Sequence, residues 1–238
     1  ALHQGVTAAE YLEMTPVQSA SLPAILAGRD VIAQAKTGSG KTAAFALGLL
    51  AAIDASSIRL QGLVLCPTRE LADQVSKEIR RLARFIPNVK VLTLCGGIPL
   101  RPHLASLTHE PHLVVGTPGR ILELLQKGAL PLTAVRVLVL DEADRMLDMG
   151  FFDDIVKVAK RCPKQRQTLL FSATYPEGIA TLSAAFMREP KEVKLVERHA
   201  ATKIRQLFFE VREDERLHAV SLLLDHYRPV STLAFCNT

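Results

Sequence analysis

The stretch Ala35-Lys36-Thr37-Gly38-Ser39-Gly40-Lys41-Thr42 decides how the rest of the chain is read. An apolar run, Asp30-Val31-Ile32-Ala33-Gln34, precedes it, and an Ala- and Leu-rich segment over residues 42–53 follows. A β-branched run, a glycine-rich turn and an apolar helix former in that order predict a strand, a loop and a helix. Glycines in the loop let successive backbone N–H groups turn inward around phosphate oxygens, and the helix start adds positive potential. Thr37, Gly38, Ser39 and Gly40 are read as the phosphate cradle. Lys41 is then the cation that reaches β and γ oxygens, and Thr42 the hydroxyl that ligates Mg²⁺. Ala35 stands where the general pattern has Gly.

Outward from that loop the same alternation recurs. Residues 62–66, 89–94, 112–116, 135–140 and 168–171 are near-continuous apolar runs, as expected of strands covered on both faces. Residues 70–85 place Leu71, Val75, Ile79 and Leu82 at spacings of four, four and three, which reads as an amphipathic helix. Strands alternating with helices predict an α/β fold: a doubly wound parallel sheet with helices on both faces and right-handed crossovers. A polar cluster follows the carboxyl end of each run, and open α/β sheets bind ligands along that edge. The clusters should therefore meet in space.

Two clusters carry chemistry of their own. Asp141-Glu142-Ala143-Asp144 ends the most apolar strand. Beside a phosphate loop, Asp141 completes Mg²⁺ coordination and Glu142 orients or deprotonates the attacking water. Standing alone, two acids at a strand end would equally well be a charge pair at a helix N-terminus. Ser172 and Thr174, after the run at 168–171, are hydroxyls suited to bond the carboxylates at Asp141 and Asp144; strand-end capping is the plainer reading. Likewise Pro67-Thr68-Arg69-Glu70 suits a helix cap, and Lys77, Arg80, Arg81, Arg84 and Lys90 suit a solvated basic face.

The composition sets outer bounds. With 48% hydrophobic and 22% charged residues the chain is globular, which excludes a disordered or collagen-like polymer. Lys+Arg 29 against Asp+Glu 24 leaves a net charge of +5, a mild preference for a polyanionic partner. No uncharged stretch reaches the roughly 20 residues that span a bilayer, so no membrane partner is expected. Cys66, Cys95, Cys162 and Cys236 are too scattered for a disulfide framework or a zinc site, and a reduced, cytoplasmic protein is expected. His103, His109 and His112 lie near Cys95 without metal-site spacing and are read as solvated loop histidines.

The 238 residues amount to one large domain and part of another. The chain opens on Ala1 without a leader pattern, read as a cut end. After Pro190 a charged stretch at residues 198–203 leads to a strand-like 206–211, a helix-like 214–227 and a strand-like 232–235. Residues 1–198 are expected to form the first domain and 199–238 a linker with the truncated start of a second. An unpaired strand edge there offers a route to a domain-swapped dimer.

Thr15-Pro16-Val17-Gln18, residues 35–42, Pro67-Thr68-Arg69-Glu70-Leu71, Gly96-Gly97, Thr117-Pro118-Gly119-Arg120, Asp141-Glu142-Ala143-Asp144 and Ser172-Ala173-Thr174 occur in that order. In this the chain resembles the DEAD-box ATP-dependent RNA helicases over residues 10–238. Residues 65–74 and 235–238 look most like the bacterial DbpA-like subgroup. The resemblance implies a first RecA-like domain that binds MgATP, with part of a second. It explains Ala35, the usual first residue of this family's phosphate loop. It implies that Gln18 reads the adenine edge and that Tyr11 belongs to the base end of the pocket, although Glu10 and Met14 depart from the usual residues. It assigns RNA sugar-phosphate contacts to Thr68, Arg69, Gly97, Thr117, Gly119 and Arg120. Ser172, Thr174 and Asp144 would couple nucleotide state to strand separation. The transition-state arginines would come from the second domain, beyond Thr238, so this stretch alone is expected to bind nucleotide weakly and hydrolyse almost nothing. A non-catalytic nucleotide-sensing RNA- or protein-binding module is the rival reading, and a DNA-processing ATPase the weaker one.

Overall fold

In a computed structural model of the chain, residues 1–175, 177–195 and 207–235 are described. Among the described residues there are seven strands: β1 (Val31–Gln34), β2 (Gly62–Leu65), β3 (Val91–Leu94), β4 (Leu113–Gly116), β5 (Val137–Leu140), β6 (Gln167–Ser172) and β7 (Lys191–Lys194). They form one sheet in the order β3-β4-β2-β5-β6-β1-β7, and every pairing is parallel. The register sets Val31 opposite Leu169 and Lys191, and Gly62 opposite Leu113 and Val137. Because all strands run one way, their carboxyl ends share one edge of the sheet.

The helices are α1 (Leu2–Ala8), α2 (Pro16–Leu26), α3 (Lys41–Ala52), α4 (Arg69–Leu82), α5 (Leu100–Ser106), α6 (Pro118–Gln126), α7 (Ala143–Asp148), α8 (Phe152–Arg161), α9 (Glu177–Phe186) and α10 (Arg216–Tyr227). Successive strand residues point to opposite faces, and each face has its own core. Val31, Ala33, Val64, Val139 and Phe171 pack with Ile25 of α2, Phe45 and Leu49 of α3, and Val75 and Ile79 of α4. Ile32, Leu63, Leu65, Leu138 and Leu170 pack with Ile121 of α6, Met146 of α7, Ile155 and Val158 of α8, and Leu182 of α9. The strands read as unbroken apolar runs because no face is left for water.

Local chemistry fixes the helix starts. Thr15 caps α2 in a reciprocal box with Gln18, and Pro16 takes the first helical position. Thr68 Oγ1 accepts from Leu71 N at 3.2 Å to cap α4. Glu70 in the first turn of α4 and Arg80 and Arg81 in the last complement its dipole. The helix expected through residue 85 closes at Leu82 and tightens into a 3₁₀ turn at Ala83–Phe85.

Several expectations need correction. Strand β7 has no apolar run: only Val193 is buried in the burial pattern of Lys191-Glu192-Val193-Lys194. It is an edge strand on β1, and its charged residues mark that edge. His103 and His112 are not solvated; they are 6% and 2% exposed, each held by ring hydrogen bonds. Arg80 and Arg81 of the basic run bind Val91 O and Ala9 O as ties between elements.

Contacts divide the chain into two compact units, Ala1–Val196 and Glu197–Thr238. In the second, a 3₁₀ turn at Glu213–Glu215 leads into α10, which buries no residue. Residues 207–211 and 232–235, expected as strands, form none. A strand needs a ladder partner, and Phe208 and Phe235 are each 90% exposed. Residues 198–203, Gln206 and residues 236–238 lie outside the described residues.

Candidate functional site

From Gln34 at the end of β1 the chain passes through residues 35–40 and enters α3 at Lys41. Gly38 and Gly40 have φ of 80° and 94°, in the left-handed region. A Cβ on Gly40 would also lie 2.7 Å from Gln18 Nε2 and 2.9 Å from Thr15 Oγ1, so backbone and neighbours both require glycine. Ser39 Oγ steadies the turn by donating to Lys36 O at 2.7 Å. Gln18 is 6% exposed. Its Oε1 accepts from Thr15 N at 2.9 Å and its Nε2 donates to Gly40 O at 3.1 Å. Its amide thus joins the start of α2 to the phosphate loop.

Lys41 is 5% exposed and donates through Nζ to Ala35 O at 2.6 Å. Burial pushes its pKa down, and the carboxylates of Asp141, Glu142 and Asp144 push it back up. Asp141, just past β5, is 2% exposed, and its Oδ1 accepts from Glu142 N at 3.0 Å. Burial raises the Asp141 carboxyl to about 7 against the pull of Lys41, with Glu142 and Asp144 adding to the rise. A carboxyl so desolvated gains from a cation. With the Thr42 hydroxyl it forms a hard oxygen donor set of the kind Mg²⁺ takes when phosphates and waters complete its shell. The residues present therefore fit MgATP.

Glu142 sits at φ 51°, left-handed for a residue with a Cβ, at the N-terminus of α7. Backbone held there is strained and concentrates at functional positions. Its Oε2 lies 3.3 Å from Arg145 Nη1.

A cleft of about 420 Å³ gathers Tyr11, Thr37, Gly38, Gly40, Lys41, Thr42, Asp141 and Glu142 from three separate stretches of chain. It also includes Gln74 and Glu78 of α4, which sequence reasoning missed. The signal was present: polar residues four apart, flanking the stripe of Val75 and Ile79. Tyr11 Oη donates to Glu78 Oε1 at 2.6 Å, and the Arg81 guanidinium lies 5.2 Å from its ring centroid. Burial, then the Glu78 bond, pushes the phenol up to about 12.

At the end of β6, Thr174 donates twice to Asp144 Oδ2, from its N at 2.9 Å and its Oγ1 at 2.8 Å. Burial raises the Asp144 pKa, but these donors outweigh it and the net shift is downward, with the Ser172 hydroxyl contributing. Ser172 is fully buried, and its Oγ has no hydrogen-bond partner of good geometry among the described residues.

Further along the same edge, Thr68 and Arg69 follow β2, Gly97 follows β3, and Thr117 and Gly119 follow β4. Arg69, Gly97 and Gly119 are exposed. Thr117 Oγ1 accepts from Gly96 N at 3.1 Å, joining two of these loops. Arg120 differs from the rest, being 8% exposed with its guanidinium turned inward.

A phosphate loop between β1 and α3, with a buried acid at the end of β5, two strands away in the sheet, defines a P-loop nucleotide-binding α/β protein of the RecA-like type. The model for the DEAD/DEAH box helicase matches residues 15–182, and the chain belongs to that family. It is 58% identical over 228 residues to the ATP-dependent RNA helicase DbpA of Escherichia coli strain K12, covering 96% of this chain and 50% of that protein. It is 44% identical over 227 residues to the ATP-dependent RNA helicase CshA of Listeria monocytogenes, covering 95% of this chain and 44% of that protein. Among solved structures, a DEAD box protein from the hyperthermophile Methanococcus jannaschii superposes with a TM-score of 0.78 at 37% identity, covering 94% of this chain and 60% of that one. The chain spans about half the length of the curated relatives it matches.

Proposed function

We propose that the chain is the nucleotide-binding first domain of an ATP-dependent RNA helicase, residues 1–198, followed at 199–238 by the start of a second RecA-like domain. The observation that carries the reading is the buried pair Lys41 and Asp141 at the mouth of a glycine-bounded loop. Thr37, Gly38, Ser39 and Gly40 turn backbone N–H groups to the phosphates, and Lys41 exchanges its bond to Ala35 O for phosphate oxygens. Thr42 and Asp141 would hold Mg²⁺, which when bound offsets charge on the transferring phosphoryl group. Glu142 accepts the proton of the attacking water. Tyr11 lines the base end of the cleft, and Gln18 reads the adenine edge in this reading only by exchanging its bonds to Thr15 N and Gly40 O.

RNA lies along the ends of β2, β3 and β4 in this reading, contacted by Thr68, Arg69, Gly97, Thr117 and Gly119 with Arg120 behind them. Contacts of small donors and single charges to sugar and phosphate fix a strand without reading its bases, so binding is sequence-independent and falls with salt. Thr174 and Asp144, with Ser172 beside them, join the β6 end to α7 and so link the two ligand sites. The test is equilibrium binding of the 238-residue chain to MgATP and to single-stranded RNA, with Asp141→Ala as control. Binding of both ligands by the wild type, with MgATP lost in the variant, is expected; MgATP binding that survives Asp141→Ala unchanged would overturn the assignment. Hydrolysis is expected to be almost nil without second-domain arginines, which supply roughly 10³–10⁵ in rate in related phosphoryl-transfer enzymes. Multiple-turnover, RNA-stimulated hydrolysis by this chain would refute that. Equal binding of DNA and RNA would remove the 2′-hydroxyl from recognition.

A further inference from the structure

Arg120 stands in the first turn of α6, one residue past Gly119, and its guanidinium reaches away from the surface. Nη2 donates to Ile98 O at 2.7 Å, one residue past Gly97. Nη1 lies 2.6 Å from His103 Nδ1 on α5. Nε is 3.0 Å from Glu123 Oε2, close enough for Coulomb attraction, although the N–H is not aimed at that oxygen. Arg120 is thus a strut between the loop after β3 and the turn after β4, the two loops already joined by Thr117 and Gly96.

The chemistry of the strut fixes the state of the histidine. A guanidinium has five donors and no acceptor. His103 Nδ1 must therefore accept, and the ring carries its one proton on Nε2. A protonated ring would set N–H against N–H at that distance and a second positive charge beside Arg120. The charged groups acting on the imidazole are Arg120 and Glu123, both from α6, and Arg101 is its neighbour on α5.

We propose that His103 is a positioning residue for RNA binding: its neutral imidazole holds Arg120 against the Ile98 carbonyl, and protonating the ring frees the loop around Gly97, so that the hold on an RNA backbone weakens on acidification. The proposal rests on the reading that this edge contacts RNA. Burial, then Arg120, keeps the ring below the ordinary histidine range. The strut is accordingly complete above about pH 6.5 and is lost as pH falls through the depressed native pKa.

The test uses the 238-residue chain and two readouts between about pH 7.5 and 5, the span in which histidines change charge. The first is the amide NMR shifts of Gly96, Gly97 and Ile98 with the ring nitrogens of His103, in the absence of RNA. The second is fluorescence anisotropy with a short oligouridylate at fixed ionic strength. In the wild type the loop amides move with the His103 titration, and affinity falls about tenfold more than in His103→Gln, whose amide oxygen still accepts from Arg120. His103→Ala binds about tenfold more weakly at neutral pH, with no step on acidification. Loop amides that ignore the His103 titration, or a His103→Gln variant with the wild-type pH course, would overturn the proposal. If the wild type binds no oligouridylate at any pH, the RNA reading fails and the loop amides alone decide whether His103 holds the strut.

Discussion

The two edges of the sheet both bury polar side chains but finish them differently. At the amino edge, Asp30 is 4% exposed and accepts from Thr168 N at 2.7 Å and Arg188 N at 2.8 Å. Gln61 closes on Asp54 N, Asp54 O and Ser57 O, each at 2.8 Å, and Gln167 Nε2 donates to Ile25 O and Arg29 O. His112 Nδ1 accepts from Lys90 N, which leaves Nε2 to donate to Ala55 O. At the carboxyl edge, burial drives Lys41 and Asp141 toward their neutral forms and Ser172 Oγ is left without a well-made bond. The amino edge uses most of its buried polar groups to hold the fold, although Arg166 Nε and Thr168 Oγ1 there also lack a hydrogen-bond partner among the described residues. The other carries the groups proposed to bind ligands, and desolvates them at some cost in stability.

That contrast can be broken or sharpened, beginning with the largest effect. Asp30→Ala strands the buried Thr168 N–H and the part-buried Arg188 N–H and is expected to cost about 2–3 kcal/mol in urea unfolding, with MgATP affinity of the folded protein unchanged. A parallel loss of affinity would erase the division between the edges. Lys41→Met should weaken MgATP binding about 100-fold in calorimetry, the scale of a lost charge-assisted bond. Its melting temperature should not fall, because a buried amine is replaced by an apolar chain of similar length. Thr15→Ala removes the cap of α2 and should cost about 1 kcal/mol of stability.

The smallest effect carries a sign in pH. Asp144 has a depressed native pKa, so its contribution is present above the unfolded value of about 3.9 and lost as pH falls through the native one. Thr174→Val removes a donor to a half-exposed carboxylate and should cost about 0.5–1 kcal/mol near neutrality. The difference from wild type should close in acid denaturation as pH falls through the depressed native value of Asp144. A constant difference down to acid would mean that Thr174 stabilises through packing instead.

Much of the fold was legible because both faces of each central strand are covered: an unbroken apolar run such as Val137-Leu138-Val139-Leu140 has few other readings. The phosphate loop was legible because its glycines answer to backbone geometry, which sequence states directly. Strand β7 was hidden because an edge strand with one buried residue has no apolar run to display. The strands expected in the tail failed for the converse reason: residues 207–211 have strand-forming composition but pair with no strand among the described residues. Inward-turned side chains were least legible. Nothing in Thr117-Pro118-Gly119-Arg120 says that Arg120 folds back onto Ile98 O, since its partners come from two other elements.

The place of β1 in the sheet also sets the order in which the molecule can be made. Both of its neighbours, β6 and β7, lie more than a hundred residues downstream of it in the chain. At synthesis rates of about 5–20 residues per second, the phosphate loop waits on the order of ten seconds for the strands that brace it. Such distant pairing also makes spontaneous refolding slow. In pulse-labelled refolding, amides of β1 should gain protection no earlier than those of β6. The loop that follows β1 is therefore braced on both sides only once β6 and β7 have been made.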